Sequence, residues 1–289
     1  MDGILIVNKP KGYTSHDVVN VIRKKLNLKK VGHTGTLDPN ATGVLPILIG
    51  QATKISKYLI EHDKTYIAEL KLGKKSNTGD EEGEIIETKT VPKLDEEKIK
   101  KVLDSFIGRQ EQIPPIYSAV KINGKKAYEY ARENKEVKLE PREIEIYNIK
   151  FLEYKDNVIK FEVACSKGTY IRVLCEDIAK KLGTVGLMQN LIRTQVDRFY
   201  MQNAVNIDEI DEKNICKEII SVENIFEKKT EIRLNEKKTE LFLNGVKLTY
   251  ELPDDVYRIY DKTEFLGLGI VSNNLLKRDV IVRKSEIEK

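Results

Sequence analysis

The sequence predicts an α+β protein, with a mixed, mostly antiparallel sheet in a larger domain over residues 1–229 and a small β-rich domain over 230–289. Three observations carry this. A length of 289 residues accommodates one large domain and one small one. Residues 142–154 and 158–165 alternate apolar and polar across Asp156-Asn157, as an antiparallel hairpin does. After residue 230 the texture changes to short strand-like runs separated by Asn-Gly, Pro-Asp-Asp and Ser-Asn-Asn turns.

In chain order, residues 3–7 read as a strand and 8–13 as a turn-rich exit from it. Ser15 is placed to cap a helix in which Val18, Val19, Ile22 and Leu26 share one face, leaving Arg23, Lys24 and Lys25 on the wet side. Residues 44–49 read as a buried strand and 52–59 as a helix with Ile55 and Leu59 inward. In the strand 66–72, Tyr66, Ala68, Leu70 and Leu72 fall on one face, so parity alone makes Tyr66 a core residue. Residues 74–92 read as a solvated, acidic hairpin, and 95–106 as a helix with Ile99, Val102, Leu103 and Phe106 inward. An extended segment from 113, an Asn123-Gly124 turn and a helix over 127–134 follow, with basic residues crowding the turn. After the hairpin, a helix runs to Leu182 with Ile171, Leu174 and Ile178 inward, and an acidic, helix-compatible stretch spans 207–227.

Composition narrows the class. Hydrophobic residues make up 40% and charged residues 33% of the chain, and no apolar run approaches the ~20 residues of a membrane span. The start Met1-Asp2-Gly3 carries an acid where a secretory signal has a basic region, which predicts a cytoplasmic protein. Cys165, Cys175 and Cys216 form no Cys-x-x-Cys pair, so no metal site is expected. The net charge is only +4, but acids gather in 80–97 and 208–227, leaving basic stretches at 23–30 and 121–126 that suit a polyanion.

Residues 32–46, Gly-His-Thr-Gly-Thr-Leu-Asp-Pro-Asn-Ala-Thr-Gly-Val-Leu-Pro, are too rich in special backbone residues for an ordinary connection. Glycines permit left-handed angles, and Pro39 biases Asp38 toward extended backbone. Asp38 is a lone acid approached by Arg23, Lys24, Lys25, Lys29 and Lys30, with His33 its close ionisable neighbour. Asp-Pro also starts helices, with the aspartate as cap, but Gly43 and Pro46 would interrupt such a helix within two turns.

This run resembles the catalytic motif of the bacterial tRNA pseudouridine-55 synthases, which isomerise a uridine in the T loop of tRNA. Gly168-Thr-Tyr-Ile-Arg172, Lys64-Thr-Tyr66, Pro114-Pro-x-Tyr-Ser-Ala-x-Lys121 and Leu191-Ile-Arg-Thr194 resemble further motifs of that family, and Asn8-Lys-Pro-x-Gly12 resembles a supporting one. The resemblance implies a pseudouridine-synthase fold with a PUA-like C-terminal domain. It implies Asp38 as the catalytic aspartate and His33, Tyr66, Tyr170, Arg172 and Leu191 as substrate-binding. Tyr66 would stack on the target base, Tyr170 border it, Leu191 touch it and Arg172 pair with Asp38. The family places a glycine near the end of the last motif, where this chain has Val196-Asp197-Arg198.

The expected partner is the T arm of tRNA, with no cofactor, no metal, no membrane and no obligate protein partner. Re-forming a bond between the same base and the same sugar needs neither redox nor phosphate energy. The sequence also lacks a Gly-rich dinucleotide or phosphate loop and the paired carboxylates of a glycosidase. Two rival readings are a non-catalytic RNA-binding or tRNA-folding protein, and the same chemistry on another RNA. Asp38 argues against the first, because an anion gains a pure binder nothing in a phosphate-facing groove.

Overall fold

The computed structural model describes residues 2–282, apart from Glu61, Ala119, Asn123, Asn134, Glu136, Glu212 and Asn214. Ten strands form one mixed sheet, whose main path runs Val205–Asn206, Gly3–Lys9, Thr42–Ile49, Gly186–Val196, Lys64–Leu72, Val158–Cys165, Arg142–Lys155 and Gly108–Gln112. Neighbours are antiparallel except at two joins, Gly3–Lys9 with Val205–Asn206 and Thr42–Ile49 with Gly186–Val196. The loop carrying Asp38 enters the sheet at the second join.

That join requires a glycine. Gly43 pairs with Arg193 at φ +111, and a β-carbon on it would lie 2.2 Å from the Arg193 carbonyl oxygen. On one side of the join the sheet is covered by the Ser15–Lys25 helix, with Val18, Val19 and Ile22 buried against Leu5, Val7 and Leu45. On the other side the Ile171–Lys181 helix packs Ile171, Leu174 and Ile178 with Ala68, Leu70 and Met188. Tyr66, Ala68, Leu70 and Leu72 are all buried, as their alternation predicts.

A second sheet, in the order Glu231–Arg233, Asp255–Tyr260, Phe265–Ser272, Leu275–Ile281, Leu248–Thr249, carries the helix Glu236–Leu243 and its own core. Its Leu268 and Val280 are also buried with Ile4, Ile6, Val44 and Ile55 of the first unit.

Several local expectations change. Thr14, not Ser15, caps the first helix: its side chain accepts from the Asp17 N–H while Asp17 bonds back to the Thr14 N–H. The expected helix at 52–59 is the 3-10 helix Gly50–Tyr58, with Ile55 and Leu59 inward as expected. Among its described residues the 207–227 stretch forms the short 3-10 helices Ile207–Glu209 and Ile215–Lys217 and the four-residue helix Val222–Ile225, and Ile220 bridges to Ile4 through bonds of 2.8 and 2.9 Å. Asn123 and Asn134, within the expected turn and helix, lie outside the described residues; the helix there is Ala127–Arg132. At the position where a family glycine is expected, Asp197 takes φ +49 and makes the turn to Phe199–Tyr200, a left-handed angle that aspartate tolerates. Asp156 and Asn157, at φ +51 and +60, close the long hairpin in the same way.

Candidate active site

The loop from Thr34 to Ala41 is held from below by side chains of the first two elements. Lys9 is wholly buried and donates through Nζ to the carbonyls of Pro10, Tyr13 and Pro39, the last at 2.9 Å. Burial lowers its pKa to about 8, against the opposing pull of Asp38. Ser15, released from capping, accepts from the Leu37 N–H at 2.9 Å and donates to the Leu37 carbonyl at 3.3 Å. Both flanks of Asp38 are thus tied to the helix and strand beneath it.

Above, two arginines grip the loop. Arg172, 7% exposed, sits in the first turn of its helix with Nε 3.0 Å from Asp38 Oδ2 and Nη2 3.4 Å from Oδ1. Its remaining donors reach the carbonyls of Thr78 at 3.0 Å and Tyr117 at 2.9 Å. One guanidinium therefore fastens the aspartate to two other segments, which an ammonium could not do in this planar arrangement. Arg193, 1% exposed, donates through Nε to the Val44 carbonyl at 2.8 Å and through its Nη atoms to Gly35 and Thr36 at 3.4 Å.

Asp38 leaves 36% of its side chain open to a cleft of about 600 Å³. Burial raises its pKa, and this outweighs the lowering by Arg172; nearby Asp80 raises it further. The arginine moderates the cost of burying the carboxylate rather than holding its pKa below the usual range.

Of the residues expected from sequence, Tyr66, Tyr170, Arg172 and Leu191 line this cleft with Asp38. Tyr66 is both core and cleft wall: its ring is buried and lines the cleft beside Arg193, with burial raising the hydroxyl pKa to about 12. Tyr170 is fixed by Gln112, whose Oε1 accepts from its N–H at 2.8 Å and whose Nε2 donates to its carbonyl at 3.1 Å. His33 does not line the cleft. It stands behind the loop, its Nδ1 accepting from the Gly35 N–H at 3.3 Å, and burial pushes its pKa down toward the neutral form this bond needs.

Three participants escaped the sequence reading. Arg193 lies two residues beyond Leu191 in one strand, and that shared parity is the available signal for its place. Lys9 was visible only as part of a supporting motif. Asp80 belongs to the stretch read as a solvated hairpin, yet its turn enters the cleft: Asp80 accepts from the Thr78 hydroxyl at 2.6 Å and lies 3.8 Å from Arg172.

Comparison with known proteins places the chain in a family. The N-terminal domain profile of the TruB family pseudouridylate synthases matches residues 23–171, and the tRNA pseudouridylate synthase B C-terminal domain profile matches 172–224. The tRNA pseudouridine synthase B of Alkaliphilus oremlandii is 46% identical over 94% of each chain. That of Clostridium acetobutylicum is 46% identical over 96% of this chain and 98% of its own. A chain from a crystal structure of a Cbf5-Nop10-Gar1 complex superposes with a TM-score of 0.69 at 26% identity, covering 98% of this chain and 84% of that one. The boundary between the two matches falls inside the arginine-bearing helix, with Asp38 in the first and Arg172, Leu191 and Arg193 in the second. The chain belongs to the TruB family of pseudouridylate synthases.

Proposed function

We propose that this chain isomerises uridine to pseudouridine at position 55 in the T loop of tRNA, with Asp38 as the catalytic carboxylate. The observation that carries the reading is the Asp38–Arg172 pair on a cleft walled by Tyr66, Tyr170 and Leu191. A uridine stacked in an RNA loop cannot bring its glycosidic bond to a recessed carboxylate, so the target nucleotide turns out of its stack and enters the cleft. There an aromatic face and an aliphatic side chain take up the uracil; base–aromatic stacking contributes on the order of 1–3 kcal/mol. Asp38, ionised and fixed through both oxygens, acts on the nucleotide to begin glycosidic cleavage. The base then rejoins the same ribose through C5, releasing the C5 proton. The raised Asp38 pKa predicts that activity falls with acid at a pH above the ordinary aspartate range.

Around the cleft, Lys126 and Arg132 extend the basic rim toward the RNA backbone. The second sheet, over residues 231–281, makes up the small second domain, whose Lys237, Lys238 and Lys247 add phosphate contacts at a distance from the chemistry. A tRNA substrate fits a cytoplasmic enzyme; no helix among the described residues is long and apolar enough to cross a membrane. The test is release of tritium from a T-arm RNA labelled at uracil C5. Release dependent on the uridine at position 55 is expected; no release from any tRNA returns the protein to RNA binding alone, and release only from another RNA moves the target.

A further inference from the structure

Several hydroxyls in and beside the cleft have protein partners. Ser15 bonds to Leu37, Ser76 donates to the Asp80 carbonyl at 2.5 Å, Thr78 to the Asp80 carboxylate, and Thr169 to the Ser166 carbonyl at 3.0 Å. Thr34 and Ser118 differ. Each residue lines the cleft, they are 2% and 5% exposed, and each hydroxyl oxygen is sealed from solvent with no hydrogen-bond partner. Their backbones, by contrast, are paired: Thr34 N–H donates to Pro46, Ser118 N–H to Ile116, and the Ser118 carbonyl accepts from Tyr128.

Both positions adjoin the machinery that fixes Asp38. Thr34 precedes Gly35, whose carbonyl Arg193 holds, and Ser118 follows Tyr117, whose carbonyl Arg172 holds. With no bond to lose, either hydroxyl can turn into the cleft, and burying one without a partner destabilises the protein that carries it. The other unpartnered buried polar atoms, at Arg23, Gln51, Gln189 and Thr239, belong to residues that do not line the cleft.

We propose that Thr34 and Ser118 turn their hydroxyls onto the extruded target nucleotide, meeting the uracil carbonyls, its N3–H or the ribose 2′-hydroxyl once the base has entered. The proposal rests on the uridine-isomerising reading of this cleft. A hydroxyl both donates and accepts, so each residue can serve either kind of group. The unmet hydrogen-bonding capacity is then satisfied only in the complex, which makes these residues selective for a polar nucleotide over an apolar intruder.

The test joins stability with kinetics. In Thr34→Val and Ser118→Ala the melting temperature of the free protein should stay level or rise by up to about 2–4 °C, since a hydroxyl without a partner is removed. Turnover per unit substrate on T-arm RNA should nevertheless fall about tenfold for each, and Thr34→Ser should restore most of it. A fall in melting temperature that accounts for the lost activity would overturn the proposal, as it would mean that the hydroxyls serve the fold, for instance through a bound water. Wild-type kinetics in both variants would overturn it as well. Wild-type protein that never releases tritium would instead remove the isomerase reading itself.

Discussion

The cleft end of the large sheet and the face it shares with the C-terminal sheet are both buried, but by opposite means. At the cleft, Lys9, Arg172 and Arg193 are sealed among backbone carbonyls, and burial works against their neighbour Asp38. Behind it, Leu268 and Val280 lie with Ile4, Ile6, Val44 and Ile55, and the polar ties are peripheral: Tyr58 donates to Asp279 at 2.6 Å, Tyr260 to Glu223 at 2.7 Å, and Lys57 pairs with Asp279. Apolar burial of this kind stabilises a fold directly, whereas a buried ion pair fixes geometry at a cost in desolvation. The back of the sheet carries stability so that its front can hold charges in place.

The largest test of this contrast is a chain ending at Lys229. It uncovers Ile4, Ile6 and Val44, and its melting temperature should fall by more than about 10 °C, because the loss of several buried contacts costs several kcal/mol. A truncated chain that melts like the full one would show the shared core to be unimportant. Next, Arg172→Ala should lower turnover by roughly a hundredfold or more at neutral pH. Arg172 lowers the Asp38 pKa more than Lys9 does, so without it the acid limb should move to still higher pH, with partial recovery in alkali. Arg172→Lys should restore charge but not the contacts to Thr78 and Tyr117, leaving activity well below wild type. A pH profile unchanged in Arg172→Ala would mean that the pair does not govern the reacting carboxylate.

The smallest expected effect lies on the outer surface. Replacing Lys237, Lys238 and Lys247 with alanine should leave melting and saturating turnover alone while reducing the salt slope of tRNA binding by roughly 0.7–0.9 per lost phosphate contact. An unchanged slope would confine the C-terminal sheet to stability.

The same contrast explains what was legible in the sequence. Asp38 stood out because its loop spends glycines and prolines on backbone geometry, and the strand around Tyr66 because alternation registers burial directly. Arg193 and Lys9 did not, because a buried cation is recognised only once the carbonyls that receive it are assembled from distant segments. Ser15 was misread since the Thr14-x-x-Asp17 box one residue earlier takes the cap and frees it for Leu37. The 207–227 stretch has enough isoleucines for a helix, yet Ile220 and Ile4 pair their backbones, a long-range choice that overrides local propensity.

Asp38→Asn examines the central claim with least disturbance, since it keeps the side-chain shape and removes the charge. Single-turnover conversion of T-arm uridine should be lost while the affinity for tRNA stays within a few-fold of wild type, because the basic rim binds and the carboxylate reacts. Conversion at a near-wild-type rate would contradict the account and return Asp38 to a role in shaping its loop.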